Sequence, residues 1–571
     1  MTPASGTGSA DLSISIVAAA GVPIAGLVAG GIQLTFNGAA TNGSSIEVAL
    51  TTIQNGLSVP PIGVIDTPVE GQSGITGAIA LTGWALDDVE IDRVTICRVP
   101  YFPHELTNPI SPHCGGRNDV FLGFAVRVDG ARPDVAAAFP MHPQNTKGGW
   151  GYMLLTNMLP AGGNGSYVIL AFAYDREGMV VQLGNRLIDC ANDSATKPFG
   201  AIDTPEQGGV ASGGAYVNFG WALTQNPKTI PMDGSTITVL VDGTPIGSPT
   251  YNNFRGDIAT LFPGRTNSNG AVGYRVIDTT ALDNGVHTIS WAVTDDQGNT
   301  DGIGSRYFTV SNDSSGLTDA VASARVADDA AIQAATLERR SVVARRGFDL
   351  NAPWTSYDVN ADGRVVIRGE ELNRFELALD GHDGEQFAGF LRAGNRLEPL
   401  PAGTRLDTST GSFTWAPGVG FIGSYDLVFV RSRRDRIVSR QDVRFILQAK
   451  GSGFVGPQIT IDTPRWQHDI AQPFTIAGWA VDLDATDGTG IGAVHVWAYP
   501  LAGGPPVFLG AAATGGTRPD VAAIHGARYR DSGFGLIVQG LAHGNYDLAV
   551  FAWSNERGDF APAKVVRVTV R

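Results

Sequence analysis

The sequence predicts an all-β chain of tandem two-sheet sandwich domains, and three observations carry that prediction. First, 571 residues are too many for one hydrophobic core, and the length suggests roughly four domains. Second, the chain holds 74 glycines and is 43% apolar but only 17% charged. That composition suits short strands joined by tight turns. Third, one ordered set of landmarks occurs three times, and such repeats set the architecture.

Each copy opens with Ile-Asp-Thr-Pro, at residues 65–68, 202–205 and 461–464. A Gly-Trp-Ala follows, as Gly83-Trp84-Ala85, Gly220-Trp221-Ala222 and Gly478-Trp479-Ala480. Next comes an Arg-x-Asp element: RPDVA at 132–136, RGDIA at 255–259 and RPDVA at 518–522. A Gly-aromatic pair then opens a strand, as Gly151-Tyr152, Gly273-Tyr274 and Gly533-Phe534. Each copy closes on a turn and two alternating strands: GNGSYVILAFAYDREG, DNGVHTISWAVTDDQG and AHGNYDLAVFAWSNERG. A copy spans about 110–135 residues, a β-sandwich domain size rather than a solenoid unit. Alternating short strands with frequent turn signals point to two packed antiparallel sheets.

The run IDTP…ITGAIALTGWALDDVEIDRVTICR resembles the opening of bacterial immunoglobulin-like domains. The resemblance covers residues 61–198 (repeat A), 199–311 (repeat B) and 456–571 (repeat C). A second run, LPAGTRLDTSTGSFTWAPGVGFIGSYDLVFV, is similar to the cadherin-like immunoglobulin repeats of bacterial surface proteins. It implies a β domain at 346–449, in which the Asp407–Gly411 turn joins two strands and Trp415 plugs the sandwich. Residues 1–60 look like the back half of a further repeat, which implies a fragment of a longer chain. Residues 312–345 are rich in Ala, Asp and Arg without alternation. They read as a partly helical or disordered linker dividing the chain into two arms. The expected fold class is therefore tandem immunoglobulin-like β-sandwiches.

The net charge of −15, with no basic stripe, argues against nucleic acid as a partner. The opening MTPASGTGSADLS lacks the basic segment and apolar block of a signal peptide. Residues 14–36 are apolar, but Pro23, Gly21, Gly26, Gly30 and Gly31 and the alternation at each end read as strands around a turn rather than a membrane span. Three cysteines do not make a disulfide framework. Cys97 closes a predicted strand and Cys114 ends a Pro-rich insertion, so a bridge between them is one reading and free thiols are the other.

Several motifs carry candidate chemistry. In repeats A and C the large apolar residues alternate out of phase with Trp84 and Trp479, which places these rings on the outer sheet face. In repeat B, Val217, Phe219 and Trp221 share one phase. Outward tryptophans could stack on a sugar ring or dock a neighbour; a bulge at the preceding Gly would instead turn them into the core. Asp134, Asp257 and Asp520 are expected to cap a helical turn, with the preceding Arg paired to a nearby carboxylate or carbonyl. Residues 255–257 spell Arg-Gly-Asp, but the equivalents read Arg-Pro-Asp, which favours a shared structural role. Asp358, Asn360 and Asp362, followed by Gly363, match the start of a calcium loop. The match fails at position 12, where Gly369 stands, so an Asx-rich hairpin turn is the rival reading. The acids of LDDVE and TDDQG lie in turns, where solvation or turn bonding accounts for them.

No G-x-S-x-G elbow is present, and His104-Glu105 lacks the second His of a zinc motif. The expected function is a non-catalytic structural or interaction array of a secreted or cell-surface bacterial protein. Spacing, adhesion or presentation would be its task, with calcium as the one cofactor candidate. The alternative is a carbohydrate- or protein-binding accessory region of a secreted hydrolase.

Overall fold

The computed structural model describes residues 58–312, 329–451 and 457–571, apart from 141, 361, 382–383, 395, 435, 466–467, 484, 486–487, 526, 556–558 and 561–562. It also describes two strands at 26–35 and 43–52. The chain is all-β and built of immunoglobulin-like sandwiches. It divides into two compact units, 1–451 and 452–571. The division falls after Gly451, not within 312–345, so the two-arm reading of that stretch is corrected. Residues 313–328 lie outside the described residues. Of the proposed half-repeat, the antiparallel pair Gly26–Thr35 and Gly43–Thr52 is described. Among the described residues no helix is long and apolar enough to cross a membrane.

The three repeats share one wiring. The opening strand (Ile62–Thr67, Phe199–Thr204 or Pro457–Thr463) pairs antiparallel with the Gly-Trp strand (Ala78–Leu86, Tyr216–Leu223 or Phe474–Asp482). A short continuation (Gln72–Ile75, Gly209–Ala211 or His468–Ile470) then crosses over and runs parallel to the last strand. In repeat A the strand Val120–Arg127 belongs to both sheets, pairing first with Ile91–Arg98 and then with Gly149–Leu155. Strand Val507–Gly516 does the same in repeat C. In repeat B this strand is broken into Thr244–Gly247 and Thr250–Asn253. Pro249 sits at the break and has no N–H to offer a ladder.

Apolar side chains on the inner faces make one core per repeat. Ile79, Leu81, Trp150 and Ile169 belong to repeat A, Ile237, Ile289 and Trp291 to B, and Ile476, Val496 and Leu548 to C. The domain expected at 346–449 begins before residue 346, because strand Val342–Arg346, expected in the linker, belongs to one of its sheets. It packs two five-stranded sheets around Phe375, Phe413, Trp415, Phe429 and Phe445. The Asp407 carboxylate accepts the Ser409 and Thr410 N–H groups, closing the turn that delivers Phe413 and Trp415 to that core.

Within residues 1–451 the sandwiches dock on one another through the loop 416–421. Gly151 of repeat A lies so close to this loop that a Cβ there would stand 2.2 Å from the Gly420 nitrogen. The Tyr425 hydroxyl donates to Ala131 O at 2.6 Å, and the Tyr307 hydroxyl of repeat B donates to Val419 O at 2.7 Å. Arg374 Nε donates to Gly243 O at 2.6 Å, and Thr414 Oγ1 donates to Asp242 O at 2.8 Å. Glu371 is buried against repeat A, with its Oε2 3.2 Å from Thr67 Oγ1 and 3.0 Å from Thr82 Oγ1. Burial pushes its carboxyl up to about 8, overriding these hydrogen bonds.

Candidate functional site

Three of the repeated landmarks converge on one construction; the Gly-aromatic pair does not align between copies, since Gly83 faces Trp150, Gly220 faces Gly273 and Gly478 faces Phe534. The opening strand carries a bulge whose extra residue is the Asp of Ile-Asp-Thr-Pro, because the register shifts between Ile65 and Thr67, Ile202 and Thr204, and Ile461 and Thr463. The freed carboxylate meets the Arg of Arg-x-Asp. Arg132 binds Asp66 through Nη1 and grips Asp134 with Nε and Nη2, at 2.9 and 2.7 Å. Arg255 joins Asp203 to Asp257. Arg518 joins Asp462, at 2.6 Å, to Asp520. Asp134, Asp257 and Asp520 therefore do not cap their helices; they stand in the first turn as partners of the arginine. Arg518 holds the Asp520 carboxyl down at about 2. The Arg255 of Arg-Gly-Asp is occupied by this clamp.

The helix that each clamp positions lies over the tryptophan. Trp84 packs on Phe139 at 5.2 Å, just beyond helix Pro133–Ala138. Trp221 sits between Phe199 and Phe262, at 6.0 and 5.3 Å. Trp479 packs with Val481, Val521 and Tyr529. All three rings lie on the outer sheet face, yet none is exposed: Trp221 is buried, and Trp84 and Trp479 are half-buried. These three tryptophans therefore offer no row of open rings to stack on a sugar. Nor does the glycine form a bulge, since the pairs Gly83↔Trp150, Gly220↔Gly273 and Gly478↔Phe534 stay in register. The glycine instead faces inward under a core aromatic. A Cβ on Gly83 would stand 2.4 Å from the Trp150 ring, and one on Gly478 would stand 3.0 Å from Phe534.

Asp358, Asn360 and Asp362 stand at a hairpin turn, where Val359 and Val365 form an antiparallel bridge. Asn360 Oδ1 accepts the N–H groups of Asp362 and Arg364, and Asp358 Oδ1 accepts the Ser341 hydroxyl. The Asn360 oxygen that a calcium loop would aim at the ion is thus engaged by backbone. A disulfide joins Cys97 to Cys114, beside a buried ion pair between Arg98 and Glu105. Arg98 holds the Glu105 carboxyl down at about 2. Cys190 is a buried free thiol that burial pushes up to about 12.

One surface was not singled out from the sequence. On the outer face of repeat B, Val217, Phe219, Phe254, Tyr274 and Val276 line an open groove of about 660 Å³. Phe219, Phe254, Tyr274 and Val276 are exposed, and the Phe219 and Tyr274 rings lie 5.8 Å apart. The corresponding face of repeat A carries Ala80, Thr82, Gly151 and Met153 and is covered by the 342–449 domain. The shared phase of Val217 and Phe219 was the signal for this face, because both point outward with Trp221.

No family model matches the chain, and no curated protein matches it. Among solved structures, it is similar to the fibronectin(III)-like modules of Clostridium thermocellum CbhA (15% identity, 44% of this chain and 95% of that one, TM-score 0.14). It is similar to a tetra-tandem repeat from the extending region of a large adhesion protein (11%, 89% and 97%, TM-score 0.17). The Escherichia coli adhesin FdeC is a third such structure (11%, 66% and 98%, TM-score 0.20). Scores this low carry no argument of their own, and the immunoglobulin-like assignment rests on the strand wiring described above.

Proposed function

We propose that this chain is a non-catalytic structural and interaction array of a secreted or cell-surface bacterial protein, with residues 61–198, 199–311, 342–449 and 456–571 as its sandwich domains. The observation that carries this reading is the use made of its buried polar groups. Arg132, Glu371, Arg374, Tyr307 and Tyr425 all serve to clamp a strand to a helix or one sandwich to another. Such a body presents a surface or sets a distance; it does not gather acids and bases around a substrate.

A second reading, binding of carbohydrate or a protein partner as an accessory region, is favoured by the aromatic groove of repeat B. Affinity electrophoresis of the full chain through gels containing soluble polysaccharides separates the two. The structural reading predicts unchanged mobility. Retardation that is lost in the F219A/Y274A double variant would contradict it and establish the groove as a carbohydrate site.

A further inference from the structure

The end of the Gly-Trp strand meets the closing hairpin in all three repeats, and each repeat places an acid at that junction. In repeat B the acid is Asp295. Its Oδ2 accepts the Thr224 hydroxyl at 3.2 Å and stands 3.4 Å from the Lys228 ammonium, while its Oδ1 accepts the N–H groups of Gln297 and Asn299. In repeat C the acid is Asp482 on the other strand, and the Ser554 hydroxyl donates to it. Both copies pair a buried carboxylate with a hydroxyl donor, and in repeat B the Lys228 ammonium stands beside the pair.

Repeat A breaks this rule. Asp87 replaces Thr224 and Asp175 aligns with Asp295, so two carboxylates face each other where, among the described residues, the other copies pair a carboxylate with a hydroxyl. Both are 3% exposed. Asp87 Oδ2 accepts the Val89 and Glu90 N–H groups, and Asp175 Oδ1 accepts that of Met179. Asp87 Oδ1 and Asp175 Oδ2 are buried with no hydrogen-bond partner. Glu177, exposed in the following turn, brings a third carboxylate, and one oxygen from each lies within 4.8 Å of the others. The neighbouring Arg176 does not neutralise them, because its guanidinium binds Glu90 at 3.1 Å. A buried carboxylate oxygen with no donor is costly, and two facing each other are more so.

We propose that Asp87, Asp175 and Glu177 form a calcium site in repeat A, with the ion standing where the Lys228 ammonium stands in repeat B. The ligands are all carboxylate oxygens, the set that hard divalent cations take. The exposed side at Glu177 leaves room for the waters that complete an irregular shell. The ion ties the end of strand Ala78–Leu86 to the turn after strand Asn164–Asp175, so it closes the hairpin that bears repeat A's core.

The test is calorimetric titration of the EDTA-stripped full chain with calcium chloride, with thermal unfolding in parallel. The proposal predicts saturable binding and a calcium-dependent rise in the unfolding midpoint. E177Q, which alters an exposed side chain, weakens the affinity at least tenfold. D87T, which restores the hydroxyl found in repeat B, abolishes binding at this site while the calcium-free protein unfolds at a higher temperature than the wild type. Absence of calcium binding to the wild type would overturn the proposal, as would unchanged affinity in both variants.

Discussion

Arg132, Arg255 and Arg518 make the same pair of contacts in three settings of different burial, so their energetics can be ranked. Arg132 is buried, and its removal strands Asp66 and Asp134 without a counter-charge. Breaking a buried pair costs several kcal/mol, but these carboxylates are partly solvated, so R132A is expected to destabilise repeat A by about 1–3 kcal/mol. The partners of Arg518 are about half exposed, and R518A is expected to cost about 1 kcal/mol or less. Urea unfolding followed by tryptophan fluorescence checks the order, and a larger loss in R518A would refute it. Gly83 of a Gly-Trp pair and Gly535 of strand Gly533–Val538 offer a second contrast. G83A forces a methyl group into the Trp150 ring and the Val64 carbonyl, an overpacking worth about 1–3 kcal/mol. In G535A the nearest atom to the new methyl is 4.0 Å away, and stability should hardly change.

At the scale of strands and sheets, the repeats keep their core volume by exchanging which strand supplies the large ring. Repeat A has Trp150 opposite Gly83 and Ala171 on the facing sheet; repeat B has Gly273 opposite Gly220 and Trp291 on the facing sheet. A Cβ on Gly220 or Gly273 would meet the Trp291 ring at 3.0 or 3.1 Å. W291A should therefore cost about 3–5 kcal/mol, and adding G273W should recover part of that loss in chemical denaturation. No recovery would show that the two arrangements are not interchangeable. The strands and their alternation were legible in the sequence, because period two and turn residues are local signals. The outward phase of Trp84 and Trp479 was legible for the same reason. The cover over those rings was not, since it depends on a bulge at Asp66 or Asp462 that draws the arginine and its helix across the sheet. The acids of LDDVE and TDDQG make turn bonds, as one of the two readings held, with Asp87 accepting the Val89 and Glu90 N–H groups and Asp295 those of Gln297 and Asn299. Their burial was not legible, and only setting the three copies side by side reveals what faces them.

At the scale of the whole molecule, the sequence suggested domains in series on two arms, whereas three sandwiches dock together within residues 1–451. Docking is encoded in small residues such as Ala80 and Gly151 and in a loop rich in glycine, which carry little signal individually. Glu371 makes the docking sensitive to pH. Its carboxyl titrates near 4.5 when unperturbed and at about 8 when buried. Below pH 4.5 both folded and unfolded chains hold the proton. As pH rises from there to about 8, the unfolded chain releases it first, so the stability of the docked unit falls across this window. E371Q should flatten that part of the profile in denaturation series run from about pH 5 to about pH 8, and an unchanged slope would show that Glu371 is not the group responsible.

The docked arrangement is the centre of this account, and differential scanning calorimetry of the full chain beside a G151L variant tests it most directly. In the wild type, the domains of residues 61–449 are predicted to unfold in one coincident transition. G151L, which forces a side chain against Gly420, should split that transition into separate, lower ones. Separate transitions in the wild type that G151L leaves unmoved would contradict the docked unit and return the chain to independent domains in series.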